Sequence, residues 1–388
     1  MFLDCRAFCD FDHLRREIPF VRWMRDRKDA DVHVLVTSRR TGPGGREFTF
    51  AFLGLRRFEG VGDTLIRTTG PTDTSDEVRD VITQTLRLGV VRYAARTDLA
   101  DRLQVALAGG EPAAAARAGP DPWKLWILRT RVGGSLDGED RTRAFSAFGS
   151  ISANRTTDAV KIDLRVGASY RESRFELNDS TTFKNVVSGW SSSTQVVWSL
   201  GEHWSAGGQG EVSASTFANE DLDLTLAPAI EFNVFPYSES TRRRLSILYA
   251  AGVEHFDFES VTIFGRTAET HPFHRIQAAF SVQQPWGATS LGLEASQFLH
   301  DPAKHRIDLL ASANFRIVRG LDFQLFGNIA RVKDQLSLPA EGATDEEILL
   351  RRRELGTNFQ YRLNLSLSYR FGSIYNDIVN PRFDSDFF

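Results

Sequence analysis

The sequence predicts a mainly β chain, a transmembrane antiparallel up-and-down β-barrel of about twelve strands preceded by a small α/β domain. Three observations predict it. Beyond residue 123 the hydrophobic period is two throughout, in strands of about ten residues or more with no helix between them. Connections alternate between short turns and longer polar loops, and aromatic residues gather at the short-turn ends.

The N-terminal third is read first. Over residues 12–26, Leu14, Ile18, Val21 and Trp23 with Met24 recur at helical spacing, and then Val32, Val34 and Val36 alternate in a strand. Residues 39–45 are turn chemistry, after which Phe48, Phe50 and Phe52 alternate with Thr49, Ala51 and Leu53, completing a hairpin. A further β segment is expected at 63–68, and Asp73 or Ser75 caps a helix through Val78, Ile82, Leu86 and Val90. Residues 1–102 are therefore a compact α/β domain. Residues 103–122, rich in Ala, Gly and Pro, are a linker between units expected to fold separately.

Residues 123–373 hold the barrel, and 374–388 a tail. On residues 160–170, Val160, Ile162, Leu164, Val166, Ala168 and Tyr170 share one face while Lys161, Asp163, Arg165, Gly167 and Ser169 share the other. The same contrast recurs on 222–236 and 307–317. It is sharpest on 361–371, where Tyr361, Leu363, Leu365, Leu367, Tyr369 and Phe371 oppose Arg362, Asn364, Ser366, Ser368 and Arg370. Short turns fall near 154–157, 201–203, 238–241, 284–287 and 318–320; longer polar loops fall near 137–141, 174–185, 217–221, 258–272, 299–305 and 334–358, the last with a short charged helix at 345–353. Trp126, Trp198, Trp204, Trp286 and Tyr369, all at short-turn ends, form an aromatic girdle at a membrane interface.

Composition sets the limits. With 47 basic and 50 acidic residues well mixed, no basic field exists to attract nucleic acid. No run of about eighteen apolar residues occurs, which excludes a helical membrane span. The first twelve residues lack the features of a signal peptide, so the barrel reading requires an export signal ahead of Phe2.

Residues 361–371 (YRLNLSLSYRF) resemble the closing strand of bacterial outer-membrane β-barrel proteins, and residues 123–373 resemble that architecture in general. The chain departs from it by continuing past Phe371. The resemblance implies outer-membrane lipid as the surrounding medium. It also implies short turns, the domain 1–102 and the tail on the periplasmic side of a Gram-negative envelope.

The barrel interior is the first place to look for function. Glu211, Glu231, Glu254 and Glu294 point inward on four strands, and Arg165, Arg316, Arg362 and Arg370 on others. Such charges either form a salt-bridged plug or line a polar conduit. His203-Trp204-Ser205 resembles the His-x-Ser arrangement of outer-membrane phospholipase A, although Ala206-Gly207 replaces that family's Asn-Gly and His203 lies at the short-turn end. No catalytic residue is assigned on that basis. His271, His274, His300 and His305 lie in or beside long loops without tight ligand spacing, so no metal and no cofactor are expected. Cys5 and Cys9 are either disulfide-bonded or free surface thiols. The expected role is non-enzymatic: a porin-like barrel anchoring a periplasmic domain that binds a protein partner through 1–102. Its alternatives are a channel for small polar solutes and, at a distance, an outer-membrane hydrolase.

Overall fold

The computed structural model describes residues 1–388 apart from 42–43, 105–120, 179–180, 241, 319, 342–353, 374 and 376–388. The linker, most of the tail and the expected charged helix at 345–353 therefore lie largely or wholly outside the described residues.

The small domain runs β1 (Phe2–Cys5), α1 (Phe11–Glu17), β2 (Val32–Arg40), β3 (Arg46–Gly54), β4 (Gly62–Thr69) and α2 (Ser75–Ala94). Its sheet has the order β1-β2-β3-β4, with β1 parallel to β2 and the other pairs antiparallel. One face of that sheet buries Leu3, Val34, Val36, Phe48, Phe50 and Phe52 against Leu14 of α1 and Ile82 and Leu86 of α2. Gly89 lets α2 lie directly on this layer: a Cβ there would sit 1.9 Å from the Phe52 ring. α2 starts in a capping box, with Thr74 and Glu77 each satisfying the other's backbone N–H.

Two expectations about this domain are corrected. The helix expected over 12–26 stops at Glu17, because Ile18 precedes Pro19 and leaves the helical region (φ −124°, ψ 61°). Val21 and Trp23 still pack against the core, so their spacing reflects burial and not helix. The second is β1, four residues with a parallel partner some thirty positions on, too short for a periodicity signal.

The second sheet has twelve strands: β5 (Trp126–Gly138), β6 (Thr142–Thr156), β7 (Val160–Asn178), β8 (Thr181–Ser199), β9 (Trp204–Ser215), β10 (Glu220–Asn233), β11 (Arg243–Phe258), β12 (Ala268–Gln284), β13 (Gly287–Phe298), β14 (His305–Val318), β15 (Leu321–Val332) and β16 (Phe359–Tyr369). Each pairs antiparallel with its sequence neighbours, in unbroken up-and-down order. The count and order are those the alternation predicts. The ring is not closed: among the described residues β5 and β16 are the two edges of the sheet and share no ladder.

Loop lengths match expectation only in the C-terminal half, where 259–267, 299–304 and 333–358 alternate with 285–286 and 319–320. Near 137–141 and 174–185 the strands run on instead, β5 to Gly138 and β6 from Thr142, β7 to Asn178 and β8 from Thr181. Hydropathy hides this extension because charge there, at Glu172, Arg174 and Lys184, takes over the face that is apolar along Val160 to Tyr170. It is held by the backbone ladder and by Glu172, which pairs with Arg174 at 2.7 Å and with Lys184 at 3.1 Å. Conversely, the 234–242 connection at the short-turn end is long and structured.

Candidate functional site

The register of the twelve-stranded sheet sorts its side chains into two continuous faces. Following cross-strand partners from β16 through β13, Leu365, Leu325, Ala313 and Thr289 stand in line, and from β7 to β5 so do Leu164, Ala153 and Leu128. This face is apolar and it is exposed: Leu128, Val132, Leu136, Ile151, Val166, Leu226, Ile247, Ile276, Ile329 and Leu367 all reach the surface. A soluble protein rarely leaves so extended an apolar surface open to water.

The apolar face has limits along each strand. On β7 it runs from Val160 to Tyr170 and then meets the charged Glu172 cluster. At about 3.3 Å per residue and a tilt near 40° that run rises about 25 Å, the height of the apolar band of an outer-membrane barrel. At the short-turn end the five aromatics expected as a girdle fall on this same face. Trp126 opens β5, Trp198 closes β8, Trp204 packs at a tilt against Phe232 at 4.7 Å, Trp286 stacks on Phe315 at 5.6 Å, and Tyr369 stacks on Phe371 at 5.7 Å. The opposite limit carries Trp190 and the Phe145–Tyr170 pair, 6.2 Å apart, which the sequence reading left unassigned.

The other face is polar, and all eight charged residues expected to point inward share it by register. Their partners differ from a simple pairing of those acids with those bases. Glu294 meets Arg275 at 3.4 Å and accepts a hydrogen bond from Gln277 at 2.6 Å. Arg316 and Arg370 converge on Asp322, at 3.7 and 2.6 Å. Glu231 accepts from the Tyr237 hydroxyl at 2.8 Å, and Glu254 from Thr225 at 3.4 Å. Arg165 stands across from Ser152 and Ser193, Glu211 from Ser193 and Thr225, and Arg362 from Asn328. Arg275 on β12 and Asp322 on β15 join this face by cross-strand register, on strands where the sequence reading assigned no inward residue. Tyr237 reaches the site from a connection.

Both ends of the polar face are covered by chain. At the short-turn end the 234–242 connection folds inward, and the Tyr237 hydroxyl lies 2.9 Å from the Ser205 Oγ as well as on Glu231. At the other end residues 335–340 cross the sheet. Leu336 packs among Phe256, Phe258, Phe273 and Phe298. The Asn219 amide donates to the Ser337 and Ser260 carbonyls at 2.8 and 3.1 Å, and Thr262 bridges Pro339.

His203 and Ser205 are not brought to each other. The His203 Nδ1 is 2.7 Å from the Asn233 carbonyl, while Ser205 is held by Tyr237. Of the loop histidines, His271 stacks on His300 at 3.7 Å and pairs with Glu269 at 2.8 Å, His274 meets Gln297, and His305 meets the Pro302 carbonyl. Burial and the neighbouring His271 push the His300 imidazole below its usual value. Among the described residues no group of three or more metal-ligating side chains converges. In the small domain Cys5 and Cys9 form a disulfide.

No protein-family model and no curated protein matches the chain. Among solved structures it is similar to the NanC porin (8% identity, TM-score 0.30, covering 63% of this chain and all of that one). It is similar also to the translocator domain of the autotransporter NalP from Neisseria meningitidis (12% identity, TM-score 0.22, covering 63% of this chain and 82% of that one). A third likeness is to CdiB from Acinetobacter baumannii (7% identity, TM-score 0.29, covering 88% of this chain and 60% of that one). Values this low bear on no residue and no activity of this chain.

Proposed function

We propose that the chain is an integral outer-membrane protein without enzymatic activity. Its twelve strands close β5 onto β16 around the polar face, and its small domain stands in the periplasm to engage a protein partner. The observation that carries this reading is the apolar face, continuous over twelve strands, about 25 Å high and ended by aromatics at both limits. Partner binding is supported by the exposed Phe8, Phe11 and Phe20 of the small domain, aromatic surface that its own core leaves uncovered.

A second reading, a conduit for small polar solutes, is favoured by how charge is distributed on the polar face. Glu211, Glu231, Glu254 and Glu294 occupy β9 to β13, whereas Arg129, Arg131 and Arg165 occupy β5 and β7, and Arg362 and Arg370 lie at the opposite edge. Closing the sheet brings the two arginine groups together opposite the acidic wall. The covers at each end oppose free passage and place anchoring first.

The test is fluorescence quenching by lipids brominated along the acyl chain, on refolded single-tryptophan variants. Trp190, on the apolar face, is expected to be quenched strongly, and Trp23, buried in the small domain, not at all. Equal insensitivity of both, in protein that stays monodisperse without detergent, would overturn the membrane reading.

A further inference from the structure

The face of the small sheet turned away from its helices is also buried along β1 and β2. Phe2, Asp4, His33, Leu35 and Thr37 share that face and are nearly inaccessible, although the helices and the aromatic core lie on the other side. On β4 the same face opens to solvent at Ile66. Something therefore covers the β1–β2 half.

Contacts with the large sheet fall in the same region. The Arg316 guanidinium, on the polar face of β14, lies 4.7 Å from the centroid of the Phe2 ring. Arg25 donates to the carbonyls of Phe371 and Gly372, at 3.4 Å each, just beyond β16. Met24 forms a β-bridge with Tyr375, and Arg22 stacks on the Tyr375 ring at 5.1 Å. Between the two parts lies a cavity of about 280 Å3 lined by Arg25, Asp26, Asp29, Asp322 and Arg370. A separate contact is made at the far edge: the Arg129 guanidinium of β5 approaches Gly44, in the β2–β3 turn, so closely that a Cβ there would be 3.1 Å from it.

The small domain thus touches β14, the exit of β16, and β5. Of these, β16 and β5 flank the unpaired seam, and β14 lies two strands in from it. We propose that the small domain is docked, not loosely tethered, and serves as a clasp that holds the two edge strands in register at the short-turn rim. The proposal rests on the closed-barrel reading above. It differs from the expectation that the linker alone joins two independent units. Its physical basis is effective concentration: a body fixed to both edges turns their pairing into a local event. The cations that fasten it, Arg25, Arg129 and Arg316, come from both parts. Around Asp4, burial works against ionisation, but the His33 imidazole at 3.8 Å, Arg6 at 2.9 Å and Arg316 outweigh it and hold the carboxyl below its ordinary value.

The test uses the full chain refolded in lipid vesicles and has two arms. Asp29→Cys with Arg370→Cys, treated with a short bis-maleimide, is expected to cross-link in most molecules. In the second arm, Arg25→Ala with Arg316→Ala is expected to speed hydrogen exchange at least tenfold along Trp126–Gly138 and Phe359–Tyr369, with β8 to β11 unchanged. Absence of the cross-link in protein whose Trp190 is quenched by lipid means that the domain is undocked, and overturns the proposal. A cross-link without any change at the edges, or edges that exchange freely in the parent, means docking without clasping and overturns it equally. Loss of lipid quenching at Trp190 in the parent marks instead the failure of the membrane reading.

Discussion

The two sheets of this chain are written in the same period-two pattern and put their apolar residues in opposite places. In the small domain Phe50 is 0% exposed, whereas Leu136 on β5 is 83% exposed. Alternation decides which side of a sheet a residue takes; what lies on that side is decided by the rest of the chain. Helices supplied by the same third of the sequence cover the small sheet. Among the described residues no helix covers the large one, so its apolar face needs a non-aqueous neighbour. Four sets of substitutions and one titration test this contrast, in decreasing order of effect.

Phe50→Ala removes a ring from a dry, closed core and is expected to cost about 3–5 kcal/mol. Denaturant unfolding of the full chain, followed by hydrogen exchange in β2 to β4, should register the loss there and leave β8 to β11 unaffected. In the large sheet the sensitive change is polar. Leu365→Arg faces the bilayer and should cost about 2–4 kcal/mol and block assembly, while Ser366→Arg, on the polar face, should still give heat-modifiable protein. Equal tolerance of both would mean that the sheet does not face lipid.

Replacing Cys5 and Cys9 by serine opens a very short loop, for which chain entropy predicts about 2 kcal/mol. The loss should appear in the thermal transition of the small domain alone; a loss of lipid quenching at Trp190 would link the two sheets more tightly than argued. Thr74→Ala removes the N-cap of α2 and should lower that same transition by about 1 kcal/mol. Last comes the Asp4 titration. Because its folded value is depressed, its contribution is present above the ordinary value of 3.8 and is lost as pH falls through the folded one. Acidification below about 4 should therefore lengthen the distance between spin labels attached at Asp29→Cys and Arg370→Cys. In an Asp4→Asn variant that distance should not change with pH.

Much of the fold was legible because the signals were local. Val160 to Tyr170 and Tyr361 to Tyr369 declare their two faces in a single run, and Thr74-Ser75-Asp76-Glu77 declares a helix start, although the cap itself is Thr74 and neither Asp73 nor Ser75. What stayed hidden depended on distant partners. β1 is a strand only because β2 lies beside it. Tyr237 and Leu336 sit in connections, and no period marks a residue that reaches a site by folding back. The eight charges read as inward share one face of the sheet by register, yet their partners, Arg275, Asp322 and Tyr237, follow from geometry that a sequence pattern does not encode.

The unpaired edges also set an order of events. Every ladder between β5 and β16 joins neighbours in sequence, so each forms from a nearby hairpin and at little cost in loop closure. The closure proposed above, of Trp126–Gly138 onto Phe359–Tyr369, is the exception, since these strands lie at opposite ends of the sheet. It is the slow step by topology. Until it forms, two long strands with free N–H and C=O groups invite pairing with any other chain. Biogenesis of this protein is therefore a race between one intramolecular seam and intermolecular strand addition, and dilution, which slows only the second, should raise the yield of folded protein.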